Sequence, residues 1–214
     1  MNPKDTTCVV VLGMHGGGTS LVALILHTLG VNMHPNPKAH IKNYLNYEDS
    51  GFVRMDARIL HKAGGNWRNP PSLEKIASLQ PELETDIISL VQSRCDSRTW
   101  GWKDPRNAIT IPLYHSYLPN PRYLFITRNP NHVVRSLMSR GGKSRHAPGF
   151  WKALAQEHYQ RAEAFLKEVN PPHFTFSYED VVGNRRRQIV SGIATFVGAD
   201  PGLVDTALRR IRPR

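Results

Sequence analysis

The sequence predicts an α/β fold, a mainly parallel sheet covered by helices on both faces. Three observations carry this expectation. Short apolar, β-rich runs alternate with longer helical patterns, the order of strand–helix–strand units. The first run, Cys8-Val9-Val10-Val11-Leu12, is apolar at every position, as in a parallel strand buried on both sides. The chain has 214 residues, which suits a single domain over 1–214 with a substantial core.

The elements follow in order. After the first strand, Gly13 to Ser20 is a turn. Leu21 to Leu29 reads as a buried helix stopped by Gly30. Val31 to Asn46 is rich in Pro, Asn and Lys and reads as a loop. Asp49 to Ala63 reads as a helix with Phe52, Val53, Leu60 and Ala63 near one face, ended by Gly64-Gly65. A Pro-rich turn, Asn66 to Ser72, precedes two helical stretches, Leu73 to Leu79 and Glu82 to Arg94. Thr99 to Lys103 is a short strand, and Ala108 to Leu118 a helix ended by Pro119. Arg122 to Thr127 is another core strand. Asn129 and Pro130 start a helix through Val133, Val134, Leu137 and Met138, with Pro at its first position. Gly141 to Gly149 is a polar loop, and Phe150 to Val169 a long helix ended by Pro171-Pro172. Phe174 to Ser177 is the last strand, before helices from Arg186 and Pro201. Strand order is not readable from the sequence.

The turn after the first strand carries the strongest functional signal. Gly13-Met14-His15-Gly16-Gly17-Gly18-Thr19-Ser20 joins a strand to a helix N-terminus. Glycines let backbone N–H groups approach an anion closely, and the helix dipole adds partial positive charge. The Gly13-x4-Gly18 spacing is that of a phosphate loop, but Thr19-Ser20 stands where Lys-Ser or Lys-Thr is needed for ATP. The loop therefore suits a phosphate-like group other than a nucleoside triphosphate.

Arg128 stands just past the carboxyl end of the Arg122 strand, where ligands bind in open parallel sheets. Ser136 follows about two turns into the next helix. Both then share an edge with the glycine loop.

Together these motifs resemble the sulfotransferases that use 3′-phosphoadenosine 5′-phosphosulfate (PAPS). The resemblance spans most of the chain. Gly18-Thr19-Ser20 is similar to the loop that binds the 5′-phosphosulfate. Arg128 and Ser136 have the spacing of the pair that binds the 3′-phosphate. Tyr178, in Phe176-Ser177-Tyr178-Glu179-Asp180, resembles a tyrosine near the adenosine. Trp102-Lys103-Asp104-Pro105-Arg106 is similar to a motif of bacterial members, and Tyr47-Glu48-Asp49 with Asp56 and Arg58 to the segment after their first helix. Phe196 to Asp200 also fits. The resemblance implies a phosphate-loop-like, three-layer sandwich. It implies PAPS as donor, with Gly16, Gly17, Gly18, Thr19, Ser20, Arg128, Ser136 and Tyr178 binding it, adenosine 3′,5′-bisphosphate as product, and no metal. It also implies a hydroxyl acceptor on a sugar or small metabolite. Relatives usually carry Arg-Ser or Lys-Ser where Gly16 and Gly17 stand, and the Arg-Lys-Gly stretch of many animal members is absent.

The lost loop cation has to be replaced if the chain transfers sulfuryl groups. Lys103, at a strand end on the loop's edge, is the best remaining cation. Arg106 suits the acceptor or the sulfonyl oxygens, or pairs with Asp104. Glu48 is the favoured base, with His61, His115 and Asp104 as alternatives. Two other functions stay open: a nucleotide-binding protein of the same fold without turnover, and a small-molecule kinase, which Thr19 disfavours. The loop with Lys143, Arg145 and His146 reads as a substrate lid or an idle segment.

Composition agrees. Lys+Arg number 28 against 17 Asp+Glu, a formal net charge of +11. Such a field suits a polyanionic donor, and equally nucleic acid or an anionic membrane. The arginines at 185–187, 209, 210, 212 and 214 read as a solvated helical face, with Arg209, Arg210 and Arg212 as alternative contacts for the 3′-phosphate. No nucleic-acid motif is found. Two cysteines make no disulfide framework, and the histidines lack zinc spacing. No secretion signal or membrane-spanning stretch is visible. The expectation is a cytoplasmic protein with no structural zinc and an unknown oligomeric state.

Overall fold

The computed structural model describes residues 5–33, 40–41, 44–45, 47–139 and 146–211. The strands are β1 (Thr7–Leu12), the two-residue β2 (His40–Ile41) and β3 (Tyr44–Leu45), β4 (Thr99–Lys103), β5 (Arg122–Thr127) and β6 (His173–Ser177). The helices are α1 (Thr19–Thr28), α2 (Ser50–Lys62), α3 (Leu73–Ala77), α4 (Gln80–Gln92), α5 (Asn107–Tyr114), α6 (Pro130–Met138), α7 (Pro148–Val169), α8 (Tyr178–Val182), α9 (Arg186–Val197) and α10 (Val204–Arg210).

The main sheet has the order β4-β1-β5-β6, and every pairing in it is parallel. β1 is therefore internal, with Val11 opposite Lys103 on one side and Leu124 on the other. That register brings the carboxyl ends of β1, β4 and β5 to one edge. From β1 the chain passes to β4 on one flank, and from β4 it crosses to β5 on the other flank of β1, so the turn after β1 opens at a crevice of the kind where α/β proteins bind ligands.

Alternation along the strands divides the core. Cys8, Val10, Leu12, Trp100, Trp102, Tyr123 and Phe125 face a layer that includes residues of α2, α4, α5, α6 and α7. Val9, Val11, Leu124, Ile126 and Phe176 face α1, α9 and α10. The expected α/β sandwich with a parallel sheet and helices on both faces is thus the observed one. On the first face the Phe52 and Trp102 rings stack at 4.0 Å with 8° between planes. Trp102 also donates from Nε1 to Asn107 at 2.9 Å, and Asn107 donates to the Val11 carbonyl at 3.2 Å. This chain of bonds fastens the turn after β4 to the end of β1.

Asp49 starts α2, as expected, and its carboxylate accepts from the amides of Gly51 and Phe52. Arg94 clamps the same carboxylate with Nε and Nη2 at 2.6 and 3.0 Å. Burial pushes this carboxyl up, but the Arg94 bonds and charge and the two amides outweigh it and hold the group below its ordinary value. Several boundaries differ from the sequence reading. The helix expected over Ala108 to Leu118 splits into α5 and a 3₁₀ turn, His115–Tyr117. Pro112 donates no amide bond, and the last turn tightens. α8 was not anticipated, although Ser177 caps it by accepting from the Asp180 amide at 3.0 Å, the local signature of a helix start. α7 begins at Pro148, two residues before Phe150. β2 and β3 form an antiparallel pair inside the expected loop of 31–46. Lys143, Arg145, Arg212 and Arg214 lie outside the described residues. No described helix is long and apolar enough to cross a membrane.

Gly101 allows β4 to approach β1. A Cβ there would lie 2.3 Å from the Val9 carbonyl oxygen, a backbone atom that cannot step aside. Gly101→Ala should therefore lower the unfolding free energy by about 1–3 kcal/mol or more, through strain in the central pairing. Urea unfolding followed by circular dichroism measures this, and an unchanged midpoint would show that the two strands separate at no cost.

Candidate functional site

The site is assembled around the β1–α1 turn. Gly16 and Gly18 have φ of +78° and +104°, in the left-handed region where side chains are strained. The surroundings are equally restrictive. A Cβ on Gly18 would lie 2.4 Å from the Tyr178 ring. One on Gly17 would meet the Met14 carbonyl at 2.8 Å and the Tyr159 hydroxyl at 3.1 Å. One on Gly16 would lie 3.3 Å from both Cβ and Oγ of Ser136. The loop is a bare backbone cradle leading into α1, whose first residue, Thr19, is buried while Ser20 is exposed. An arginine at Gly16 would be strained at this φ and would press on Ser136.

Arg128 reaches the same loop from the end of β5. Its Nη1 donates to the Gly16 carbonyl at 2.8 Å, and its guanidinium lies 4.1 Å from the centre of the Tyr178 ring. Its Nε is buried without a hydrogen-bond partner. The Arg128 amide donates to the Tyr159 hydroxyl at 3.1 Å. Burial pushes the Tyr159 phenol well above its ordinary value, so it stays neutral. Arg128, Ser136 and Tyr178 are thus brought together against Gly16 and Gly18. Tyr159, missing from the sequence reading, ties α7 to both the loop and the end of β5. Glu179 accepts from the Asn129 amide at 3.3 Å and bonds His132 at 2.9 Å, which fixes the start of α6 relative to α8.

The other flank of the loop holds the charged groups. Lys103 ends β4 and is only 1% exposed. Its ammonium donates to Glu48 Oε1 at 2.6 Å and to Ser20 Oγ at 3.2 Å. A buried ammonium needs such partners to offset its desolvation. Arg106 donates to Asp104 from both its amide and its Nε, at 2.9 and 2.8 Å, the pairing that stood as the alternative to a ligand contact.

The alternative bases are distributed differently. His61 lies in the last turn of α2, at the opposite end of that helix from Glu48. His115 bonds the Tyr123 hydroxyl at 2.7 Å, near the start of β5 and so on the sheet edge opposite the loop. Asp104 is buried and engaged with Arg106. Arg209 and Arg210 lie on α10, packed beside α1 rather than at Arg128.

A second carboxylate lies beneath Arg106. Asp56 is fully buried, and its Oδ1 accepts from Thr110 at 2.8 Å and Tyr114 at 2.9 Å. Asp56 Oδ2 and Asp104 Oδ2 are both buried without a hydrogen-bond partner. Burial, and then the negative charge of Asp104, push the Asp56 carboxyl well above the usual carboxylate range. Burial also raises Asp104, against the pull of Arg106.

The sign of the resulting pH dependence follows directly. Above the ordinary carboxylate pKa of about 4, the folded chain keeps a proton on Asp56 that the unfolded chain has released. Stability from this group is therefore lost as pH rises. Asp56→Asn should gain stability relative to the parent chain as pH rises above about 4 in urea unfolding. A pH-independent difference between the two would contradict the raised carboxyl.

A family model described as the sulfotransferase family matches residues 8–200. Solved structures share the fold. The sulfotransferase domain from the curacin biosynthetic pathway aligns with 18% identity and a TM-score of 0.55, covering 92% of this chain and 76% of that one. The sulfotransferase domain of the Synechococcus PCC 7002 olefin synthase gives 16% identity, a TM-score of 0.55, and 93% and 76% coverage. Sulfotransferase STF1 from Mycobacterium tuberculosis H37Rv gives 13% identity and a TM-score of 0.51, with 98% and 72% coverage. At these identities the likeness is one of fold. No match was found among curated proteins.

Proposed function

This chain belongs to the sulfotransferase family, and from that premise we propose that it moves a sulfuryl group from PAPS to an acceptor hydroxyl. One observation carries the reading. The two flanks of a bare glycine loop hold two different cations, Arg128 on the Gly16 carbonyl and Lys103 on the Ser20 hydroxyl. A donor with phosphates at both its 3′ and 5′ positions needs two separate cationic contacts.

The fit to the donor rests on this chain's own groups. Glycine backbone and the α1 N-terminus suit the 5′-phosphosulfate. Arg128, with its unpartnered buried Nε, and the Ser136 hydroxyl suit the 3′-phosphate. Tyr178 suits the adenosine side. The donor supplies an activated sulfuryl group, which passes to the acceptor oxygen as adenosine 3′,5′-bisphosphate departs.

Lys103 answers the missing cation at Gly16. Its ammonium stabilises negative charge that grows on the leaving phosphate, which raises kcat more than binding. Glu48 holds Lys103 in place and serves as the base for the acceptor proton once the donor's charge competes for the ammonium. Arg106, oriented by Asp104, is left to steady the acceptor or the sulfonyl oxygens. Cys8 and Cys95 are buried thiols, which suits a reducing compartment and hence a cytoplasmic location. Compensation by Lys103, not loss of turnover, is the reading that a buried and doubly bonded lysine favours.

Two tests follow. Adenosine 3′,5′-bisphosphate should bind far more tightly than ATP or AMP in calorimetric titration. Arg128→Ala should weaken bisphosphate binding at least about tenfold, from loss of charge-assisted bonds worth about 1.5–3 kcal/mol each. A ligand without the 3′-phosphate should hardly respond. If both ligands weaken alike, Arg128 is a structural arginine.

Turnover separates Lys103 and Glu48 from the binding groups. Lys103→Ala should depress kcat by a much larger factor than it weakens bisphosphate binding. Glu48→Gln should cost roughly 100-fold or more in kcat. Release of the bisphosphate, followed by chromatography, reads both, and an undiminished rate for Glu48→Gln would remove it as the base.

A further inference from the structure

The loop has a neighbour that donor binding does not use. The His15 ring lies 4.2 Å from the Trp67 ring. Trp67 in turn stacks on Trp151 of α7, at 5.9 Å with 24° between planes. Over this indole pair lies the guanidinium of Arg68, 4.6 Å from the Trp67 ring and 5.9 Å from Trp151. Arg68 is exposed, and among the described residues its guanidinium has no acidic partner.

The segment presenting Arg68 is built rather than loose. Asn66 Oδ1 accepts from the amides of Arg68 and Asn69, at 2.8 and 3.2 Å. Asn66 and Asn69 also exchange two backbone bonds. Gly65 lets the turn close, since a Cβ there would lie 2.5 Å from the Asn69 carbonyl oxygen. Arg161 of α7 donates to the Pro71 carbonyl at 2.7 Å. The turn is thus fastened to the helix that carries Trp151, and through His15 it borders the glycine loop.

A guanidinium lying on an indole is held by the ring quadrupole and gives up little hydration. Its N–H edge remains available, with a planar fork that matches a carboxylate or phosphate. Arg68 is therefore a cation fixed in place without being neutralised, beside the loop where transfer takes place.

We propose that Arg68, seated on Trp67 and Trp151, is an anion-recognition site for the acceptor, and that the acceptor carries a negative charge apart from the hydroxyl it offers. The word acceptor rests on the sulfuryl-transfer reading; the anion site does not. Carboxylate and phosphate share the chemistry the fork recognises, and matched compounds distinguish them.

The experiment is calorimetric binding to the full chain, with and without adenosine 3′,5′-bisphosphate. The probes are methyl glucuronide against methyl glucoside, and benzyl alcohol against its carboxylate- and phosphate-bearing counterparts. The charged member of at least one set should bind about tenfold or more tightly than its neutral partner, and Arg68→Gln should reduce that advantage to about twofold or less while neutral compounds are unaffected. Arg68→Lys, which keeps the charge but loses the fork, should fall between. Equal affinity of charged and neutral members, no binding by any of them, or equal weakening of both by Arg68→Gln would overturn the proposal. Binding heat needs no turnover, so the two readings fail separately. Charge-selective binding through Arg68 without bisphosphate release from PAPS would sink sulfuryl transfer alone. Transfer without charge selectivity would sink the anion site alone.

Discussion

The site depends on a turn that only glycine can make. Between β1 and α1 the backbone takes left-handed conformations at Gly16 and Gly18, and Ser136, Tyr178 and Tyr159 close on the places where side chains would stand. Each of these groups arrives from a different element: α6, α8 and α7. The bare loop is therefore the point on which three helices register. Arg128 extends the arrangement, since its bond to the Gly16 carbonyl and its seat on Tyr178 need the loop in this shape. A side chain at Gly16, Gly17 or Gly18 would disturb this packing.

The same constraint bears on which side chains can stand beside the loop. With φ of +78° at Gly16 and Ser136 3.3 Å from a Cβ placed there, an arginine or lysine at this position would be strained. Lys103 lies on the neighbouring strand, in register with Val11 at the end of β1. Glu48 and Ser20 offset the cost of its burial. The ion pair keeps a cation and a carboxylate side by side next to the loop. The Asp56 and Asp104 carboxyls lie deeper, one bonded to Thr110 and Tyr114 and the other to Arg106. They fix the turn after β4 from beneath, at the cost of a retained proton.

Much of this was legible because it is local. The apolar run of β1, the glycines and the helix after them are contiguous. Arg128 and Ser136 are separated by a fixed helical spacing, so a single helix start predicts that both face the loop's edge. The family resemblance rests on these same short stretches. What the sequence does not display are contacts made across long separations. Glu48 and Lys103 are 55 residues apart, and Arg128 and Tyr159 are 31 apart. Trp67 reads as part of a Pro-rich turn until the fold sets it between His15 and Trp151. Strand order decides these meetings, and apolar runs buried on both faces carry no mark of their neighbours. Helix α8 is a different case, because its Ser-x-x-Asp start is local but follows directly on β6 and spans only Tyr178–Val182.

The most direct test of the central claim, that one glycine loop holds a doubly phosphorylated nucleotide between two cations, is a crystal structure with adenosine 3′,5′-bisphosphate. The 5′-phosphate should lie on the backbone amides of Gly16 to Ser20 with Lys103 in contact, and the 3′-phosphate on Arg128 and Ser136. A 5′-phosphate away from the loop, or a 3′-phosphate that touches neither Arg128 nor Ser136, would contradict the account.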